Sequence, residues 1–549
     1  MFQTLLCFVV ILGVQDEPYV EWVPESTEQT ALPDIKDQQR LRSELVVMAN
    51  TQPPLPFTDI TVGVRAADGG IWIGSHRGLM YLAPKAPRWR TFHSRRWLPA
   101  DDVKGLALTE SGDVLIETSS GISKLARRTT TLEQKMNVID ETLIKHHVRE
   151  GLVGAINLKE PGNLAAGHTQ HSDDNDGLWT CIYIAAEAFR YGVTGDATAK
   201  RNARRSLEAL MFLERISGIP GFAARSILPA TEPKPTHGEW HLSTDQRWWW
   251  KGDTSSDELV GHYFAYSIYF NTVADESEKA EIRQYVERIT DHIIDHGFYY
   301  VGPPGVPTTW GAWSPEKLNH NLRRLGDRGL NSLEILSFLK VAQHIVGKPR
   351  YEEASRELVE KHAYAANTVF QKHTWPLEMV NHSDDELAFL SYYPLMIHEQ
   401  DAELRKFYLA SIRRTWSVER AEHSPLFNFI YGAALQANGW TTPTKRPDAL
   451  LIEPTDYDRD ECIAWFRDVP SDTTHWTIRN SGRNDLGPLT PNRFGRLTSR
   501  ILLPVSERPV MRWNGDPYQL DGGSDGGYRD DGAAILLPYW MGRYHRLIE

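Results

Sequence analysis

The chain has 549 residues, 41% of them hydrophobic and 24% charged, and a formal net charge of −12. That length allows two or more domains around a large core, and the composition is ordinary for a globular protein. The acidic balance excludes the broad basic footprint that nucleic-acid binding needs, but not a local basic groove for an anionic polymer.

The chain opens with Leu5 to Val14, ten residues almost without a polar side chain. That is too short for a membrane span and suits the core of a secretory signal. Residues 1–16 are therefore expected to be a signal peptide, and the mature chain secreted or periplasmic, with no membrane held after export. Removing Cys7 leaves Cys181 and Cys462, too few for a disulfide scaffold or a Cys-based zinc site. Residues 17–56 are polar, carry several prolines, and read as a linker or an arm laid over the surface.

Residues 57–126 contain a weak repeat. Ile71-Trp72-Ile73-Gly74-Ser75-His76-Arg77-Gly78-Leu79 aligns with Val114-Leu115-Ile116-Glu117-Thr118-Ser119-Ser120-Gly121-Ile122 at a spacing of 43 residues. A turn precedes each copy, Asp68-Gly69-Gly70 and Ser111-Gly112-Asp113. Strand, turn and strand at this period fit a propeller blade, and the segment resembles the sensor propeller repeats of two-component regulators. Two blades cannot close a propeller, so the segment is expected to be either a remnant or a small β module docked on something larger.

From residue 130 the pattern is helical. Leu178-Trp179, Ile182-Tyr183, Ala185-Ala186 and Phe189 follow the three-and-four spacing of a buried helix face. A charged helix, Ala197 to Ile216, follows after a short turn. The same pairing recurs along the chain, with turns as short as antiparallel helix pairs require. Each apolar helix is preceded by a polar cluster: Ser172 to Gly177, Gly252 to Glu258, Gly326 to Asn331, Asn381 to Glu386 and Glu422 to Pro425. Stacked hairpins of this kind can close into a ring with all five clusters at one end. Asp174-Asn175-Asp176-Gly177-Leu178-Trp179, Lys251 to Glu258 and Pro538 to His545 resemble segments of secreted bacterial α/α-toroid carbohydrate-active proteins, akin to six-hairpin glycosidases and toroid polysaccharide lyases. The resemblance covers residues 130–549 and implies a mainly α fold: an α/α toroid of five to seven helical hairpins with a small N-terminal β module.

The polar clusters admit two readings. Ser255 with Glu258, and Ser383 with Glu386, have the spacing of a capping box. Asp253, Asp173, Asp174 and Asp176 exceed what capping needs. Glycoside hydrolysis requires one protonated carboxyl and one carboxylate, and carboxylates crowded at one mouth raise each other's pKa. Asp176, Asp253, Asp257 and Asp385 are the candidate catalytic carboxylates. A uronate lyase would instead use His262 and Tyr263, with His320, Arg328 and His382, to neutralise a carboxylate and move protons; a hydrogen-bonded core pair is the bland reading of His262 and Tyr263. Trp249, Trp250 and Lys251, with Trp310 and Trp313, fall outside any helical period, where aromatics either stack on sugars or pack a loop. Clustered oxygens at Asp174 and Asp176 suit calcium; no other metal or cofactor is expected.

The sequence has no Walker loop, no dinucleotide fingerprint, no His-Glu-x-x-His and no Gly-x-Ser-x-Gly. The expected function is cleavage of a polysaccharide or oligosaccharide, by carboxylate-dependent hydrolysis ahead of uronate elimination. A non-catalytic glycan-binding or sensor protein is the reading from another class.

Overall fold

Alternating apolar residues and tight turns build two four-stranded antiparallel sheets at the N-terminal end. The first strand is β1 (Tyr19–Ser26). The next four, β2 (Ile60–Arg65), β3 (Ile71–Ser75), β4 (Gly78–Leu82) and β5 (Arg90–Phe92), pair in sequence order. The second sheet has the order β1-β8-β7-β6, from β6 (Val103–Leu108), β7 (Val114–Thr118) and β8 (Gly121–Thr130). The repeat appears as two equivalent hairpins: Ser75 Oγ donates to Gly78 O at 2.9 Å, and Thr118 Oγ1 to Gly121 O at 2.9 Å. The segment read as an arm thus begins as a strand, with Tyr19 opposite Thr130 and Ser26 opposite Ser123. Its Trp22 lies edge-on to buried Trp72, 5.0 Å between ring centroids, and so ties one sheet to the other.

The computed structural model describes residues 17–29, 31–33, 53–170, 172, 174–439, 456–509 and 511–549. The expected signal peptide 1–16, half of the expected arm (residue 30 and residues 34–52), and Asp173 of the first polar cluster lie outside the described residues.

Past the β module the chain runs through α1 (Leu132–His146), β9 (Val148–Arg149), β10 (Leu152–Val153), β11 (Ile156–Leu158) and β12 (His168–Gln170). Then come α2 (Asp176–Thr194), α3 (Ala197–Ile216), β13 (Ile227–Pro229), β14 (Trp240–Leu242) and β15 (Trp248–Lys251). The middle holds α4 (Ser256–Thr272), α5 (Glu276–Asp295), β16 (Tyr299–Gly302), β17 (Val306–Ala312), α6 (Pro315–Asn319), α7 (Arg328–Ile345), α8 (Pro349–His362) and α9 (Tyr364–Thr368). Last are α10 (His382–His398), α11 (Ala402–Glu419), α12 (Pro425–Ala437), α13 (Asp456–Asp468), β18 (Thr474–Arg479), β19 (Thr490–Pro491), β20 (Leu497–Thr498), β21 (Asp521–Arg529) and α14 (Ala533–Tyr544).

Helices α2, α4, α7, α10, α12 and α14 are buried over most of their circumference, as their apolar sequences require. They pack on one another: α2 against α4 and α14, α10 against α4, α7 and α12. The amphipathic α3 and α5 pack against α2 and α4 and turn their charged faces out. Asp275 and Glu278 close a capping box at the start of α5. Gly177 lets α2 approach α4, because a Cβ there would overlap the Glu258 carboxylate. No described helix is long and apolar enough to cross a membrane.

The expectation of a mainly α toroid with one small β module is corrected. Helix makes up 45% of the structure and strand 20%, in fourteen described helices and seven small sheets, a mixed α/β fold. Five of those sheets fall after residue 130. Most of their strands are short, and one sheet is non-local: β21 near the C-terminus pairs both β11 and β18, and such pairing leaves no local period to read. The β module is seated on this C-terminal portion. Buried Glu507 accepts from Thr91 N at 3.0 Å, Thr91 Oγ1 at 2.7 Å and Arg483 Nη1 at 2.5 Å, while His93 meets Asn480 at 3.0 Å.

Candidate functional site

A cleft of about 390 Å³ opens where the first turns of α4, α7 and α10 come together. Four carboxylates line it: Asp257, Asp327 and Asp384, one from each helix start, and Glu378. Asp257 accepts a hydrogen bond from Ser255 Oγ at 2.5 Å. Asp327 is paired with Arg324 Nη1 at 2.9 Å. Asp384 accepts from Asn381 Nδ2 at 2.6 Å. Burial, then the neighbouring Asp327 and Asp257 charges, push the Asp384 carboxyl up to about 6.

Arginines and one tryptophan complete the walls. Arg225 Nη2 donates to Asn175 Oδ1 at 2.7 Å and Nη1 to the Asp253 carbonyl at 3.2 Å. The first polar cluster thus holds a cation over the cleft without facing it. Arg493 donates to the Val380 carbonyl at 3.1 Å. Trp310 is 53% exposed, and the Arg324 guanidinium lies over its ring, 5.1 Å from the centroid.

Three glutamates lie buried beneath. Glu258 accepts from Leu178 N at 3.1 Å, and burial lifts its carboxyl well above the usual range. Glu334 accepts from Trp313 Nε1 at 2.8 Å and is raised by the same cause. Burial likewise pushes Glu386 up to about 8. Burial thus disfavours the charged form of each of these groups.

Of the residues read from the sequence, the cleft takes Asp257 and Trp310. The Asp176 carboxylate is bound by Arg149 Nη2 at 2.8 Å and by Ser226 Oγ. Asp174 meets the buried Lys251 ammonium, which is also 3.7 Å from Asp253. The charges that calcium would balance at Asp174 and Asp176 are met by these cations. Trp250 is buried against His241, and Trp249 lies under Lys234. Trp313 is fully buried, and Arg328 holds the Leu318 and Asn319 carbonyls. His320 is an exposed residue at the end of α6.

His262 and Tyr263 are core residues. His262 Nδ1 is 2.6 Å from the Glu258 carbonyl, and burial lowers its pKa to about 4. Tyr263 bonds Thr290 Oγ1 at 2.7 Å and stacks on Phe338 at 4.4 Å. Tyr263→Phe is therefore expected to cost about 1 kcal/mol of stability, with unchanged turnover per folded molecule. Denaturant unfolding beside a rate measurement checks this.

His382 and Asp385 face away from the cleft, into a second buried cluster. Lys372 Nζ lies 2.5 Å from Asp385 Oδ2 and 2.6 Å from Glu419 Oε1. His382, Asp385 and Glu419 each place a ligand atom within 4.8 Å of the others, a grouping that suits a metal ion, with the Lys372 ammonium against both carboxylates.

Neither expected capping box forms. Ser255 makes no side-chain bond to the helix backbone and turns to Asp257, while Glu258 reaches across to α2. At α10 the cap position is Asn381, which places Ser383 inside the helix. The sequence reading passed over Asp384, Asp327, Arg225, Arg324 and Arg493. One signal was available: Asp384 and Leu387 both line the cleft, three residues apart on one helix face, and Asp385 is about 100° away on that helix.

No family model matches the chain, and no curated protein matches it.

Proposed function

We propose that the cleft hydrolyses glycosidic bonds, with Asp384 as general acid and Asp257 as the partner carboxylate. The observation that carries this reading is a carboxyl raised to about 6 by burial and by the neighbouring Asp327 and Asp257, in a cleft that also holds a half-exposed tryptophan. Protonated Asp384 donates to the leaving glycosidic oxygen, and Asp257 either activates water or attacks the anomeric carbon. Asn381 and Ser255 hold the two carboxylates in place. Trp310 offers the flat apolar surface that the C–H face of a sugar ring packs on. The likeness of the Asp174–Trp179 and Lys251–Glu258 segments to secreted carbohydrate-active proteins supports the same reading, with action after export.

Elimination is less well supported, because no His or Tyr is among the described residues lining this cleft, and His262 and Tyr263 are enclosed in the core. The test is incubation with a panel of neutral and uronate-containing polysaccharides. Reducing ends and the ultraviolet absorbance of unsaturated uronate are followed together. New reducing ends without the unsaturated chromophore are expected. Appearance of the chromophore, or binding without cleavage of any glycan, rejects the hydrolase assignment.

A further inference from the structure

A second cavity, of about 890 Å³, lies between β18, β21 and the β19–β20 hairpin. Three arginines line it, Arg479, Arg496 and Arg512. Arg512 is committed: its Nε pairs with Asp530 Oδ1 at 2.7 Å and its guanidinium lies 4.3 Å from the Trp179 ring centroid. The same Asp530 holds His475 Nε2 at 2.5 Å. Asp521, the cavity's other acid, accepts from Ser481 N at 2.9 Å and Ser481 Oγ at 2.6 Å. Arg496 Nη1 donates to the neutral Gln519 Oε1 at 3.0 Å, and its guanidinium lies 5.9 Å from the Phe494 ring centroid. Among the described residues neither Arg479 nor Arg496 has an ion-pair partner.

Two exposed arginines without an ion-pair partner among the described residues thus line the cavity, in a chain of net charge −12. A guanidinium presents a fork of donors that matches a carboxylate or a sulfate ester. One hairpin links the cavity to the first cleft. Arg493 and Arg496 sit on one hairpin and line the cleft and the cavity respectively. Arg512 acts electrostatically on Glu386, which also feels Asp257.

We propose that this cavity binds the oxyanion of an acidic sugar unit, carboxylate or sulfate, in the glycan whose backbone lies in the first cleft. This rests on the glycosidase reading for the identity of the polymer. Arg479 and Arg496 supply the charge, and the cavity selects acidic glycans over neutral ones that the first cleft alone would accept. An anionic polymer is repelled by most of this acidic surface, so paired cations beside the cleft set where it docks.

The test uses the full chain carrying Asp257→Asn, so that bound oligosaccharides persist, and the same chain with Arg479→Ala and Arg496→Ala added. Calorimetry measures binding of oligogalacturonate, hyaluronan and chondroitin sulfate oligosaccharides, with methyl-esterified oligogalacturonate and malto-oligosaccharide as neutral probes. At least one acidic probe is expected to bind roughly tenfold or more tighter than the neutral ones. The double arginine change is expected to weaken it by roughly 10- to 100-fold and flatten its salt dependence. Hyaluronan against chondroitin sulfate separates carboxylate from sulfate recognition. Acidic probes that bind no better than neutral ones, no binding at all, or affinity unchanged by the arginine substitutions overturns the proposal. The two readings fail separately. Arginine-dependent binding without cleavage by the unmodified protein leaves the cavity assignment and removes the hydrolase. Cleavage of neutral glycans unaffected by the arginine changes does the reverse.

Discussion

Asp384→Asn is expected to lower turnover on the cleaved glycan by about 10²–10⁴-fold, the usual cost of losing a general acid. An amide fills the same space but has no proton to give. Asp257→Asn should fall as far, because its amide neither attacks nor activates water. The pH profile distinguishes the two. With its carboxyl at about 6, Asp384 is protonated on the acidic side, so activity should decline as pH rises past that value. That limb should vanish from whatever rate remains in Asp384→Asn and persist in Asp257→Asn. Stability gives an independent reading. The folded-state pKa of Asp384 is raised, so its contribution to stability is full below the unfolded value and is lost as pH rises through about 6. Asp384→Asn should therefore be as stable as the parent at pH 4 and more stable at pH 8, by roughly 1–3 kcal/mol. A variant that keeps full activity, or a profile without a limb near 6, removes Asp384 from the chemistry.

Lys372→Met is expected to destabilise the fold by about 3–5 kcal/mol at pH 8. The ammonium is buried between Asp385 and Glu419, and those carboxylates hold its own pKa above the usual lysine value. Asp385 sits at about 7, raised by burial first and Glu419 second, and Glu422 is raised well above its usual value by burial and Glu419. Removing the ammonium leaves these carboxylates facing one another without a compensating charge. Their folded pKa values then rise further, so the loss should be greatest at pH 8 and shrink as pH falls toward 5 and they take up protons. Urea unfolding of both proteins across that range measures it. A deficit under 1 kcal/mol that does not vary with pH would mean that the cluster is already neutral without Lys372.

The two buried clusters show why helix starts resist residue-level reading. Asp384 and Asp385 are neighbours in sequence and chemically identical. A turn of about 100° puts one over the cleft and the other against Lys372. The choice depends on how α10 is rotated against α4, α7 and α12, and that rotation is set by packing across elements distant in sequence. Asp257 and Glu258 divide in the same way, one to the cleft and one to the Leu178 amide of α2.

Local patterns carried the helices, the paired hairpins of the β module and the polar clusters that open the apolar helices. Each depends on residues within one or two turns, or on a two-residue loop, so a linear reading reaches them. Tertiary structure alone decided the mixed α/β character, because β21 closes a sheet with β11 and β18, and β1 pairs a strand about a hundred residues away. It also decided that Arg225, Arg324 and Arg493 share one cleft with four carboxylates, and that His262 and Tyr263 do not. The reason is that side-chain direction is fixed by the packing of whole helices, where burial of large apolar faces outweighs the preference of any single polar residue for water.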